Sequence, residues 1–348
     1  MSDKPETKKR VILGLMTVGP EGTESEGARI TSLDEFNRCL ATFQHKGYNE
    51  VDTAHQYMGG KQEAFTAKAR WRERGLSLAT KWYPMKPGDH KPEVLRSKIE
   101  ESLRELQTDR VDIFYLHGPD RATPFEETLG ELDELYKQGK FKKWGLSNFS
   151  AFEVAEIVTT CNERGWVRPA VYQALYNVIT RNIESELLPC CRRYGIDVVI
   201  FNPIAGGLLS GKYKSTSEPT SGRFSDQFTN QGRLYRSRYF KPSAFASLRH
   251  IEPVVQKHGI AMAEVALRWC LHHSALNLDQ GGGDGVIIGF SSHSQLEENL
   301  EALEKGPLPE DLVQALDQAW QISKADATDF WHGKLAYSYN TRKVLFGE

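Results

Sequence analysis

The sequence is poor in cysteine, with five in 348 residues: Cys39, Cys161, Cys190, Cys191 and Cys270. The count is odd, no C-x-x-C occurs and the spacings are wide, which argues against a disulfide framework and a thiolate zinc site. Buried, reduced thiols are the expectation. The histidines lack ligand spacing, so no metal is expected. A surplus of either charge is also missing. Lys and Arg number 44 against 46 Asp and Glu, so nothing supports an electrostatic grip on nucleic acid or a membrane surface. No stretch approaches the ~20 apolar residues of a membrane span. The opening MSDKPETKKR has no apolar core of a signal peptide, which makes a cytoplasmic location the default. The turn after the first apolar run, GLMTVGPEGTESEG, holds no G-x-G-x-x-G, and no G-x-S-x-G elbow occurs.

What is present is a regular alternation. Short apolar segments at 11–16, 48–54, 76–82, 111–117, 142–148, 170–177, 197–203 and 286–290 are rich in Val, Ile and Leu, as expected of parallel strands covered on both faces. Amphipathic stretches fill the gaps. Ser32 and Glu35 make an S-x-x-E capping box before a stripe of Leu33, Phe36, Leu40 and Phe43. Pro92 suits a first turn ahead of Leu95, Ile99, Leu103 and Leu106. Further helices are expected near 62–74, 124–138, 151–164, 183–194, 243–258, 261–273, 294–304 and 309–322. Strand–helix units repeated eight times predict an α/β protein, a (β/α)8 TIM barrel in a single domain, with a doubly wound open sheet as runner-up. The barrel is assigned to residues 11–325, between a polar tail at 1–10 and a C-terminal tail or loop at 326–348. QGGGDG (280–285) reads as a connector. The segment 204–241, rich in Gly, Ser and Arg, is too long for an ordinary connection and reads as functional or disordered.

In such a barrel, catalytic groups sit at the carboxyl ends of the strands. There the chain has Asp52 with Tyr57 beyond it, Lys81, His117, Ser147 with Asn148, Gln173, Asn202 with Pro203, and Gly289. Each has a bland reading: a snorkelling lysine, a core histidine, a packed tyrosine ring, a turn-capping aspartate. Four ionisable groups at the same end of one barrel are harder to attribute to packing, because they are costly there unless paired. Paired, they make chemistry. A carboxylate anchors a lysine, the lysine is expected to acidify the Tyr57 phenol, and His117 orients a carbonyl oxygen.

Taken with GLMTVG, VDTAHQY, ATKWYP, FYLHGPD, KKWGLSNFS, VYQALYN, FNPIAGGLLSGKY, ALRWCLHHS and GFSSHSQLEENL, the chain resembles the aldo-keto reductase superfamily. Within it the likeness is to the aflatoxin-aldehyde and succinic-semialdehyde reductase branch, and it runs from residue 14 to about 322. The resemblance implies NADPH-dependent reduction of a small-molecule aldehyde or ketone. It assigns the catalytic tetrad to Asp52, Tyr57, Lys81 and His117, with Tyr57 as proton donor. Met16 and Asp52 would also touch the cofactor; Ser147, Asn148 and Gln173 would hold the nicotinamide carboxamide, and Phe201 would stack on the ring. Asn202, Pro203, Ile204, Gly206, Leu208 and Lys212 would wrap the pyrophosphate, with Arg223 adding charge. Gly289, Ser291, Gln295, Glu298 and Asn299 would enclose the adenosine end. Substrate contacts would come from His117, Tyr235, Arg238 and His332, which implies that the tail or loop at 326–348 lies near the substrate pocket. His332 stands where close relatives carry an arginine, which weakens a carboxylate clamp. Two rivals are weighed beside this reading: an NADPH-binding regulatory or sensor subunit of the same fold, and a Schiff-base lyase using Lys81. Detoxification of dialdehydes and a step in secondary metabolism fit equally well, and the oligomeric state, a homodimer included, is left open.

Overall fold

The computed structural model describes residues 8–225, 229–278 and 282–348. Most of the polar tail at 1–10, the centre of the 204–241 segment and the start of QGGGDG therefore lie outside the described residues. Eight parallel strands close on themselves in sequence order. They are β1 Val11–Gly14, β2 Glu50–Asp52, β3 Ser77–Trp82, β4 Val111–Leu116, β5 Phe141–Ser147, β6 Val171–Leu175, β7 Asp197–Phe201 and β8 Gly285–Ile288. The ring closes where Ile12 pairs with Ile287. The barrel is the one the alternation predicts, and the open sheet is excluded by that closure.

Twelve α-helices accompany the strands in the described residues: α1 Leu33–His45, α2 Gln62–Lys68, α3 Pro92–Glu105, α4 Phe125–Lys137, α5 Ala151–Arg164, α6 Leu187–Tyr194, α7 Thr229–Tyr239, α8 Pro242–His258, α9 Met262–His272, α10 His293–Leu303, α11 Glu310–Ser323 and α12 Thr341–Phe346. Their starts follow local chemistry. Ser32 caps α1 by accepting from the Glu35 amide, and Pro92 opens α3. Ser150 and Glu153 form a full capping box on α5. The stretch expected as one helix over 62–74 ends early: α2 stops at Lys68, and Arg70 turns left-handed at φ 58°.

Two cores result. A large one lies between strands and helices, with Phe36, Leu103, Trp144, Leu188 and Leu300 among its members. A small one fills the barrel itself with Ile12, Ala79, Ile113, Tyr115, Val171, Val199 and Ile287. The interior is therefore packed, and the amino-terminal end is plugged by Arg10, whose Nε and Nη2 donate to Glu50 at 2.8 and 2.7 Å. Among the described residues the barrel is therefore open at the carboxyl end of the strands. No helix among the described residues is long and apolar enough to cross a membrane.

Candidate active site

At that carboxyl end opens a cavity of about 1020 Å³. Its floor is built from strand ends. Asp52 closes β2 and Lys81 lies one residue before the end of β3; both are buried, and the lysine is wholly enclosed. Lys81 Nζ donates to Asp52 Oδ1 and to the Thr53 carbonyl, each at 2.5 Å. The other carboxylate oxygen, Asp52 Oδ2, accepts from Gln173 Nε2 at 2.9 Å. The ion pair is thus fully bonded, as a buried pair must be to persist. Burial pulls the Lys81 ammonium below its ordinary pKa while Asp52 pulls it back up.

Tyr57 and His117 stand over this pair with their rings edge to face, 6.3 Å between centroids. Lys81 Nζ lies 5.2 Å from the centre of the Tyr57 ring. The expected acidification of the phenol is not found. Burial first, and the Asp52 carboxylate second, raise Tyr57 well above the ordinary phenol value. The reason is geometric: the lysine charge is turned onto Asp52 and a carbonyl, so the phenol faces a neutralised pair in a poorly solvated site. Tyr57 holds its proton. His117 is held neutral by burial and by the positive charges of Lys81 and Arg238. Gln56 Nε2 donates to His117 Nδ1 at 2.7 Å, which leaves the ring proton on Nε2, a donor.

The backbone around the site is held in unusual conformations. Met58, Asn148, Asn202 and Ala205 all adopt positive φ, between 51° and 64°, in a region that non-glycine residues rarely occupy. Asn148 is fixed by donating from Nδ2 to the His117 carbonyl at 2.8 Å and to Ser147 Oγ at 3.0 Å. At Gly206 (φ 67°) a Cβ would lie 2.5 Å from the Tyr235 ring, so only glycine lets the chain turn so close.

The cavity wall gathers most of the residues singled out from the sequence. Asp52, Tyr57, His117, Asn148, Gln173, Met16 and Phe201 line it, as do Asn202, Pro203, Ile204, Gly206, Lys212, Arg223, Gly289, Ser291 and Gln295. Tyr235, Arg238 and His332 stand on the same wall. Five do not reach it. Lys81 lies beneath, against Asp52 and the Tyr57 ring. Ser147 and Leu208 are fully buried, Asn299 donates to the Gly289 carbonyl at 3.0 Å, and Glu298 faces solvent on α10. Gln56, Tyr83 and Arg29 line the cavity without having been singled out. The first two carried a signal: Gln56 sits inside VDTAHQY, and Tyr83 lies two positions beyond Lys81, on the same side of an extended chain.

Part of the cavity wall comes from the C-terminal tail, through Thr328, His332 and Gly333. The His332 amide donates to the Asn148 carbonyl at 2.9 Å, and the His332 carbonyl accepts from Arg121 Nη1 at 2.6 Å. Arg121 is in turn paired with the buried Glu153 at 2.7 Å.

The Aldo/keto reductase family model matches residues 10–321. The chain is 47% identical over 297 residues to an aldo-keto reductase of Pseudocercospora fijiensis, spanning 84% of this chain and 99% of that one. It is 41% identical to aldo-keto reductase family 7 member A3 of Homo sapiens (92% of this chain, 96% of the relative). It is 39% identical to aflatoxin B1 aldehyde reductase member 2 of Mus musculus (92% and 87%). The barrel, the polar cluster at its mouth and these matches agree, and the chain belongs to the aldo/keto reductase family of oxidoreductases.

Proposed function

We propose that this protein reduces aldehydes or ketones to alcohols with NADPH, Tyr57 giving the proton. The observation that carries the reading is the Tyr57 phenol and the His117 ring facing one cavity above the Asp52–Lys81 pair. The wall suits a dinucleotide. Gly206 and Gly207 turn at φ 67° and 103°, leaving a surface without side chains near Lys212 and Arg223, a fitting cradle for phosphates. Phe201 offers an aromatic face, and Asn148 and Gln173 offer amides for the carboxamide. Among the described residues Arg223 has no carboxylate partner; its contacts are Met16 Sδ and the Tyr235 ring. That charge, with Lys212, suits the pyrophosphate of either dinucleotide, and the summed field of the two cations favours NADPH for the extra negative charge of its 2′-phosphate.

When bound, the dinucleotide supplies the hydride. The chain's own residues do the rest. His117 Nε2–H donates to the carbonyl oxygen and orients it beside the Tyr57 hydroxyl. As negative charge grows on that oxygen, Tyr57 transfers its proton. An alkoxide is a far stronger base than a phenolate, so a phenol with a raised pKa still protonates it. Burial and the Asp52 carboxylate disfavour the phenolate left behind, so Tyr57 takes a proton back from solvent and is protonated again for the next cycle. A phenol held protonated suits reduction; the reverse oxidation would need it ionised first.

A lyase reading through Lys81 fares poorly, because its ammonium is enclosed and hydrogen-bonded twice. The mouse relative's name points to aldehydes as the class to try. The test is loss of the reduced-nicotinamide absorbance when protein and NADPH meet a panel of aromatic and aliphatic aldehydes. Turnover of several members is expected. Tight NADPH binding with no turnover across the panel would overturn the reading in favour of a dinucleotide-sensing subunit.

A further inference from the structure

Arg238, His332 and Tyr83 come from three separate parts of the chain and meet at the cavity wall. Arg238 Nη2 stands 3.0 Å from His332 Nε2, and His332 Nδ1 stands 3.3 Å from the Tyr83 hydroxyl. The order of donors in this chain is fixed. A guanidinium has no lone pair to offer, so it can only donate, and His332 Nε2 must accept. A neutral imidazole accepting at Nε2 carries its proton at Nδ1. That proton points at the Tyr83 oxygen, which accepts. The Tyr83 hydroxyl hydrogen is then not needed by His332. The imidazole is neutral at any ordinary pH, because burial and the Arg238 and Arg121 charges push it down to about 3.

The platform under this chain is rigid. The His332 backbone is bonded on both sides, to Asn148 and to Arg121. The Tyr83 ring packs edge-on against both His117 (5.7 Å) and His332 (5.8 Å). Tyr83 thus lies beside the ring that orients the carbonyl and lines the same cavity.

We propose that Tyr83 is a specificity-determining residue: its hydroxyl, set as a donor by Arg238 acting through His332, binds a second acceptor oxygen of the substrate. The favoured substrates are carbonyl compounds that carry such an oxygen, for instance an ester, in addition to the reacting group. Tyr83 touches the substrate, while His332 and Arg238 are positioning residues. The inference rests on the reduction reading above, but one of its tests does not.

That test is nitrogen NMR of the imidazoles in the protein without added ligand, with the His332 signals assigned by their loss in His332→Gln. His332 is expected as the Nδ1–H tautomer, reverting toward the commoner Nε2–H form in Arg238→Met. An Nε2–H tautomer in the unaltered protein overturns the relay. The second test compares kcat/KM for methyl 4-oxobutanoate and hexanal, which have the same chain length and differ in the ester oxygens. One directional hydrogen bond predicts a preference of about three- to tenfold for the ester. Tyr83→Phe should bring the ratio close to one, mainly through KM. An unchanged ratio in that variant overturns the role of Tyr83. Turnover of neither aldehyde, with the Nδ1–H tautomer present, counts against the reduction reading and leaves the relay standing.

Discussion

Glu63, on α2 beside the barrel, illustrates how burial holds a carboxyl in its neutral form. Its carboxyl is buried beside β3, accepting from Thr80 Oγ1 at 2.5 Å, and burial raises its pKa from 4.5 to about 7. The linkage has a definite sign. Below the unfolded value both states hold the proton and no penalty exists. As pH rises from 4.5 to 7 the unfolded chain ionises first, so unfolding becomes easier. Stability is expected to fall by on the order of 3 kcal/mol across that window and then level off. Glu63→Gln keeps an acceptor for Thr80 and should flatten this part of the profile, measured by urea unfolding at pH 5 and pH 8. Identical pH slopes in the two proteins would show that Glu63 ionises freely. At the same scale, the identities of Asp52, Tyr57, Lys81 and His117 were legible in the sequence because each follows an apolar strand core. The direction of the Tyr57 shift was not. It depends on where the Lys81 ammonium points, and a list of neighbours carries no directions.

Among the elements, α5 reaches the site indirectly, through the carboxylate that caps it. Its capping carboxylate, Glu153, is wholly buried and serves three partners. Oε1 accepts from Arg121 and the Tyr337 hydroxyl at 2.7 and 2.9 Å, and Oε2 accepts from Arg121 and the Ser150 amide at 3.0 and 2.8 Å. One helix start therefore anchors the C-terminal tail beside the cavity. Glu153→Gln leaves the Arg121 guanidinium without its counter-charge and should cost about 3–5 kcal/mol. The same change should speed proteolysis within 328–348, read by mass spectrometry after limited digestion. A variant as stable as the original, with an equally resistant tail, would refute this anchoring. Strands and most helices could be located from apolar periodicity alone. α7 could not. Its sequence TNQGRLYRSRY lacks an apolar stripe, yet Tyr235 and Tyr239 are buried beneath Phe224 and Arg223. Its helicity is sustained by aromatic and cation–π packing across the cavity rim, which is invisible to periodicity.

For the whole molecule, closure of the barrel makes a ring of eight strand ends, and the site draws on at least six of them. The mouth was legible as a set of residues because a barrel fixes which ends face together. Which of them reach the cavity was not, since Ser147 and Leu208 are covered by neighbours that only the folded chain supplies. A cavity formed by so many elements ties ligand binding to global stability. NADPH at a hundredfold excess over its Kd should add about 2.7 kcal/mol, raising Tm by several degrees in a thermal melt. NADH at the same concentration is expected to raise it less, given the charges of Lys212 and Arg223; equal shifts would remove the argument for the phosphorylated form. The central claim is that a protonated phenol above a neutralised Asp52–Lys81 pair delivers the proton. It is tested most directly by Tyr57→Phe, with NADPH affinity and aldehyde-dependent NADPH consumption measured on the same preparation. The account predicts nearly unchanged affinity with turnover lower by orders of magnitude; turnover within a few fold of the original would contradict it.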